Sequence, residues 1–378
     1  MDFDFTQDQG MLRNLVREYL TDKSTVAHVR SMMDNPLGYD QAIYRGLSEL
    51  GVNGLPEEYG GGGLGVVEQA LILEEIGRVA YPSPWMASTL LAGQTIANTD
   101  DENAKARYLP DISSGAIIAT LALQEASLDW GPEAVNTTAA AVGGGYVLNG
   151  EKRFVPWAQS ADVIIVVART GGEDSDGLSL FAVAKDTPGV TITPTAMLDL
   201  TSRVATVVLD GATVPADALI GEEGSAWDAV QTTLRLAAVG ASAEMLGASR
   251  TALDMSTEYA KVRKQFGQFI GQFQAVKHML AEMLEQVENS HAAVYYAAWA
   301  QDADADDKVL AASVAKSMLN EASKRVCGDA IQVHGGIGYT WEYDLHLFWK
   351  RAKYYEPMFG DTQFHREVVL EQALAQHA

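Results

Sequence analysis

Cysteine is nearly absent. A single residue, Cys327, among 378 excludes an internal disulfide framework. Long apolar runs are missing as well: no stretch is long enough for a membrane span and no charged-then-apolar leader is legible, so a cytoplasmic protein with no membrane partner is expected. Positive charge is scarce. Lys and Arg number 27 against 50 Asp and Glu, a net charge of −23, spread through local runs such as Asp100–Glu102 and Asp302–Asp307. Such a field repels phosphate backbones, which argues against a nucleic-acid partner, and it obliges any site for an anionic substrate to gather Lys or Arg locally. No metal is expected.

What is present is apolar bulk. Hydrophobic residues make up 47% of the chain, ample for sizeable cores at this length. Residues 1–117 carry apolar positions at helical spacing in MLRNLVREYL, YDQAIYRGLSELG and VVEQALILEEIGRVA, interrupted by GLPEEYGGGGLG, too rich in glycine for helix. Residues 118–224 change character: YVLNGEKRF, ADVIIVVART, LSLFAVAKD and ATVVLDGATVP are short β-rich runs separated by Gly, Asn and Asp turns. Over 225–378 the helical period returns in long amphipathic stretches with short loops, and a four-helix bundle is expected. The fold class is therefore α+β, with a helical N-terminal domain, a central β domain and a C-terminal helical bundle.

In that order lie PEEYGGGGLG (56–65), YAKVRKQFGQFIGQFQAVKHMLAEM (259–283) and QVHGGIGYTWEYDL (332–345). Together they resemble the acyl-CoA dehydrogenase family over essentially the whole chain. The resemblance implies FAD, an acyl-CoA substrate desaturated between Cα and Cβ, a tetramer built as a dimer of dimers, and an electron-transfer flavoprotein as the usual acceptor. It also implies that Arg263, Phe266 and Gln274 contact the diphosphate and adenine side of FAD across a subunit interface, with Gln332 and Gln363 as further dinucleotide contacts. The residues suit those roles. Arg263 follows a helical apolar stripe and precedes a Phe-Gly turn, which places a cation where the chain bends sharply, although in isolation it reads better as a solvated basic helix end. Gly335 and Gly336 lack Cβ atoms and let backbone N–H groups approach phosphate oxygens. His334 reads as a packed loop histidine.

The chemistry of the family requires a carboxylate to take the Cα proton and donors that polarise the thioester carbonyl. In the commonest form the base is the Glu of a Tyr-Glu-Gly-Thr loop. Laid without gaps on AKYYEPMFGDTQFHR, that loop falls on Met358, Phe359, Gly360 and Asp361, so Phe replaces the base and leaves only a backbone N–H. Some members carry the base on the first bundle helix, just before an Arg; those positions are Ala237 and Ala238 here. Two acids stand nearest. Glu244 lies two turns further along the same helical face, roughly 10 Å along the axis, among small and apolar neighbours that would desolvate it. A buried carboxylate paired with a Lys or Arg is an equal reading of Glu244. Asp361 is either a base or the cap of the last helix. The flavin-ring side departs too: Gln124 and Glu125 stand where Thr and Glu are usual, and Pro156, with no N–H or hydroxyl, where a Thr contacts the flavin N5 region.

Residues that would reach a neighbour's flavin are thus kept, while those serving the chain's own flavin and substrate are changed. The leading expectation is a subunit that completes its partner's cofactor site, as in members of the family with unlike subunits that act on bulky acyl-CoA esters such as sterol side chains. Two other readings stay open: a self-sufficient homotetramer using Glu244 or Asp361, and a non-catalytic acyl-CoA-binding or scaffold protein.

Overall fold

The computed structural model describes residues 5–172 and 174–375. Helix α1 (Gln7–Lys23) opens on a reciprocal cap, the Gln9 N–H donating to the Thr6 hydroxyl and the Thr6 N–H to the Gln9 carboxamide. α2 (Val26–Met33) follows, then α3 (Gln41–Glu49), started by Asp40 accepting from the Ala42 and Ile43 N–H groups. The glycine-rich stretch is largely irregular and tightly folded: a Cβ at Gly61 would lie 2.0 Å from the Leu55 carbonyl oxygen. α4 (Val66–Arg78), a buried π-helical run Met86–Gly93 continuing as α5 (Gln94–Ala97), and α6 (Glu102–Ser113) complete the N-terminal helices.

Strands β1 (Ala119–Ala122), β2 (Thr138–Val142), β3 (Gly145–Pro156), β4 (Val163–Arg169), β5 (Leu178–Ala184), β6 (Val190–Thr195), β7 (Val204–Pro215) and β8 (Leu219–Ile220) form one sheet in the order β6-β7-β3-β2-β4-β5-β8, with β1 parallel to β4. The four β-rich runs of the sequence are β3, β4, β5 and β7. The other strands are short, or, like β6, an edge strand facing mostly solvent and carrying Pro194, tolerated where no neighbour needs its N–H. After the sheet come α7 (Trp227–Val262), the two-stranded hairpin β9 (Lys264–Gln265) and β10 (Gln268–Phe269), α8 (Gln274–Asp302), α9 (Lys308–His334), α10 (Leu345–Tyr355) and α11 (Thr362–Ala375). The bundle therefore has one helix more than expected: α10 is set off from α9 by the glycine-rich 335–344 segment.

The helical, β and helical segments follow one another as the family resemblance implied. In contacts, however, the chain divides into two compact units, one made of residues up to Ser31, Gly65–Tyr81 and everything from Ala238, the other of Met32–Leu64 and Pro82–Ala237. The first, the bundle unit, draws in α4 because glycines let backbones meet: a Cβ at Gly77 would sit 2.1 Å from the Glu244 carbonyl oxygen, and one at Gly247 1.9 Å from that of Glu74. The second, the sheet unit, is centred on β4 and β5, where Ile164–Ala168 are fully buried. Among the described residues no helix is long and apolar enough to cross a membrane.

Candidate active and cofactor sites

The segment between α10 and α11 carries Phe359. Its backbone is left-handed at two consecutive residues, φ +60° at Phe359 and +100° at Gly360. A Cβ at Gly360 would lie 2.5 Å from Phe364 Cδ1 and 2.6 Å from His365 Nε2, so glycine is required there. The phenyl ring of Phe359 is buried. The loop carbonyls are held by two buried side chains. Lys316 Nζ, in the N-terminal third of α9, donates to the carbonyl oxygens of Tyr355 (2.9 Å), Gly360 (2.9 Å) and Glu356 (3.3 Å) and to Asn320 Oδ1 (2.7 Å). His365 Nε2 lies 2.8 Å from the Phe359 carbonyl oxygen and its Nδ1 3.2 Å from Ser313 Oγ. Burial pushes the His365 imidazole down to about 4, with the Lys316 charge acting in the same direction, so the neutral ring donates from Nε2 and accepts at Nδ1. Burial likewise pushes the Lys316 ammonium down to about 7, against the pull of Asp361 and Glu356.

Glu244 sits on α7 at 2% exposure. Its Oε2 accepts from Arg351 Nη1 at 2.8 Å and its Oε1 from the Tyr355 hydroxyl at 2.7 Å, both donors coming from α10. The Tyr355 hydroxyl is pushed well above its ordinary 10 by burial and then by the Glu244 charge. This is the geometry of a carboxylate paired with an arginine from a neighbouring helix. Asp361 is exposed, and its Oδ1 accepts from the Phe364 N–H at 2.8 Å, capping the first turn of α11.

A separate group of residues gathers at one end of the bundle unit. Arg263 closes α7, its N–H donating to Tyr259 O at 2.9 Å and its carbonyl accepting from Ile270 at 2.8 Å. Phe266 (φ +52°) and Gly267 (φ +82°) form the two-residue turn of the β9-β10 hairpin. The Phe266 ring is 92% exposed. α8 starts at Gln274 and α9 ends at His334; joined by a short loop and packed along each other, they bring Gln274 and Gln332 to the same end. His334 stacks on Tyr259 of α7 at 4.3 Å and is bonded through both ring nitrogens, to Ala330 O and the Tyr343 hydroxyl. Arg263, Gln274, Gln332, Gly335 and Gly336 are all exposed, and Cβ atoms at the two glycines would meet nothing within 4 Å. One guanidinium, two carboxamides and two open glycine backbones are a donor set that fits a diphosphate. Gln363 lies elsewhere. On α11 it donates to Glu367 at 3.0 Å and lines a cavity of about 620 Å³ with Glu321, Lys324 and Arg366; Glu321 is roughly three turns, ~16 Å, from Gln332 on α9.

In the sheet unit, the Gln124 carboxamide is turned inward, Nε2 donating to Leu128 O at 3.0 Å, and Pro156 O accepts from the Thr120 hydroxyl at 2.5 Å. Glu125 is buried: Lys152 Nζ donates to it at 2.7 Å, and the Asn136 and Thr137 N–H groups at 2.9 Å each. Burial alone would raise the Glu125 carboxyl, yet Lys152 and the N–H donors hold it below its ordinary 4.5. Burial pushes Lys152 down to about 8 against the Glu125 charge.

Sequence reasoning did not single out Lys316, His365, Arg351 or Tyr355. A signal existed for the first: in LAASVAKSMLNEAS, Lys316 and Asn320 stand at i and i+4 on a helical face otherwise made of small and apolar residues.

Family models match almost the whole chain: acyl-CoA dehydrogenase N-terminal domain over residues 6–116, middle domain over 124–203 and C-terminal domain over 224–374. The probable acyl-CoA dehydrogenase YngJ of Bacillus subtilis is 33% identical over 99% of this chain and 100% of its own length. A chain in the structure of the electron transferring flavoprotein of Acidaminococcus fermentans superposes with a TM-score of 0.92 at 31% identity, covering 99% of this chain and 100% of that one. A chain of the ChsE4-ChsE5 complex from Mycobacterium tuberculosis superposes with a TM-score of 0.88 at 29% identity, covering 99% of each. The protein belongs to the acyl-CoA dehydrogenase family, flavoprotein oxidoreductases that act on CH–CH groups.

Proposed function

We propose that this chain is the base-less subunit of a cytoplasmic acyl-CoA dehydrogenase assembled from unlike subunits. The observation that carries the reading is the buried Phe359, on which the family's Glu falls when its loop is laid on the sequence, with both nearby acids otherwise engaged: Glu244 by Arg351 and Tyr355, Asp361 by the first turn of α11. An ion-paired carboxylate with both oxygens accepting charge-assisted or hydroxyl donors is a poor proton acceptor. The similarity to a chain of a named two-component complex, ChsE4-ChsE5, supports unlike subunits, and the likeness to a chain of the Tcur3481-Tcur3483 steroid acyl-CoA dehydrogenase, TM-score 0.87 at 28% identity, supports a bulky, steroid-like acyl-CoA ester as substrate.

The family binds FAD, which when bound accepts the hydride that leaves Cβ. In this chain Arg263, Gln274, Gln332 and the Gly335–Gly336 backbone would hold a diphosphate, reaching across an interface to the partner's cofactor, with Phe266 projecting beside them. The side expected to meet the flavin ring is poorly equipped: Pro156 has no donor and the Gln124 carboxamide turns one N–H to the Leu128 carbonyl. The Cα proton is then taken by the partner's carboxylate, and an electron-transfer flavoprotein is the acceptor, consistent with the likeness to a chain in the Acidaminococcus fermentans structure.

Flavin stoichiometry tests the reading. The chain expressed alone should be flavin-poor and inactive on acyl-CoA esters, and co-expression with a family member that retains its Glu should restore about one FAD per two chains. One FAD per chain in a homotetramer that oxidises an acyl-CoA unaided would overturn it and return the search to Glu244 and Asp361.

A further inference from the structure

We propose that Lys316 is the positioning residue of the Phe359 loop: acting with His365, it staples both ends of the 355–360 segment to α9 and thereby fixes where the side chain at position 359 is delivered. Four loop carbonyls are captured, those of Tyr355, Glu356 and Gly360 by Lys316 and that of Phe359 by His365, which is itself tied to Ser313 on α9. The Tyr355 and Glu356 carbonyls end α10, where a buried cation also meets the negative end of the helix dipole. All four partners of Nζ are oxygen acceptors. An ammonium offers three N–H groups to them, whereas a neutral amine would turn its lone pair on an oxygen, so this geometry favours the charged form that burial opposes. Asn320 supports the arrangement at a cost: its Oδ1 accepts from Lys316 while its buried Nδ2 has no hydrogen-bond partner among the described residues.

None of these contacts involves the side chain at 359. The left-handed turn at Phe359 and Gly360 is imposed through backbone oxygens, so the frame that would present a carboxylate presents a phenyl ring here. The importance given to position 359 rests on the functional reading above, but the staple can be tested without turnover, assembly with a partner or flavin.

The experiment places 4-fluorophenylalanine at position 359 and compares the full chain with its Lys316→Met and Lys316→Gln variants by ¹⁹F NMR and by hydrogen exchange of the 355–361 amides. Wild type should give one buried resonance. Lys316→Met should give a second or broadened resonance and exchange over 355–361 faster by about tenfold or more, the loss of a charge-assisted bond, with α8 and the rest of α9 unchanged. Lys316→Gln, which keeps an amide donor without the charge, should fall between the two and is read in the same way if the Met variant does not fold. Lys324→Met is the control: Lys324 pairs with the Glu356 side chain on the same segment at 2.8 Å from a half-exposed position, and its loss should change exchange less than about twofold. An unchanged resonance and unchanged loop exchange in the Lys316 variants, acceleration spread evenly over α8 and α9, or an equal effect of Lys324→Met would overturn the proposal. A homotetramer with one flavin per chain would overturn the functional reading and leave these results untouched.

Discussion

Replacing Glu244 by Gln decides between a carboxylate that does chemistry and one that holds helices together. The substitution is nearly isosteric. Tyr355 keeps an oxygen acceptor 2.7 Å away, but Arg351, 2% exposed, loses its anionic partner and faces the Ala80 and Tyr81 carbonyl oxygens at 3.4 Å. Breaking a buried ion pair from one side costs about 3–5 kcal/mol. At about 1.3 °C per kcal/mol for a chain of 378 residues, the thermal midpoint should fall by about 4–6 °C. The assay is a melt followed by circular dichroism at matched flavin concentration, run beside turnover with the protein in its active assembly. The triple variant Glu244→Leu/Arg351→Met/Tyr355→Phe should recover most of the loss, because it removes both desolvation penalties and leaves no buried hydroxyl without its Glu244 acceptor, and that non-additivity is the signature of a coupled cluster. A midpoint within about 2 °C of wild type, combined with turnover reduced by several orders of magnitude, would refute the reasoning and make Glu244 the base.

Three further outcomes are expected. Arg263→Ala should leave the melt unchanged, since the side chain is exposed, while weakening FAD binding in fluorescence titration by about 1.5–3 kcal/mol; unaltered flavin affinity would mean that the diphosphate lies elsewhere. His365 titrates at about 4 in the folded chain against an ordinary 6.5, so the unfolded chain binds more protons between those values and stability should fall as pH drops from 6.5 towards 4, by about 3 kcal/mol in all. Urea midpoints of wild type and His365→Gln across that window check the sign, and parallel pH slopes would contradict it. Finally, Phe359→Glu should not create a competent dehydrogenase, because Pro156 has neither N–H nor hydroxyl and Gln124, turned to the Leu128 carbonyl, still stands where the family has Thr; rapid bleaching of flavin absorbance by an acyl-CoA in that single variant would show the base to be the only thing missing.

The sequence alone was enough for the order of helical, β and helical segments, for the family, and for the absence of a carboxylate at position 359. Those features are carried by local periodicity, by glycine-marked turns and by motifs contiguous in the chain, so no tertiary knowledge is needed to see them. The strands it missed are those in which pairing, not composition, makes the strand: β8 is two residues long and β6 is an edge strand with a proline. The division into two compact units was likewise decided in three dimensions, by the backbone approach of α4 to α7 at Gly77 and Gly247. So was the state of Glu244. Its position on a helical face is readable from the sequence, but its partner Arg351 is 107 residues away. Lys316 and the loop carbonyls it holds are 39 to 44 residues apart. Burial and pairing of charge depend on which helices meet and at what height, and a residue pattern fixes the face a side chain occupies without fixing what stands opposite it.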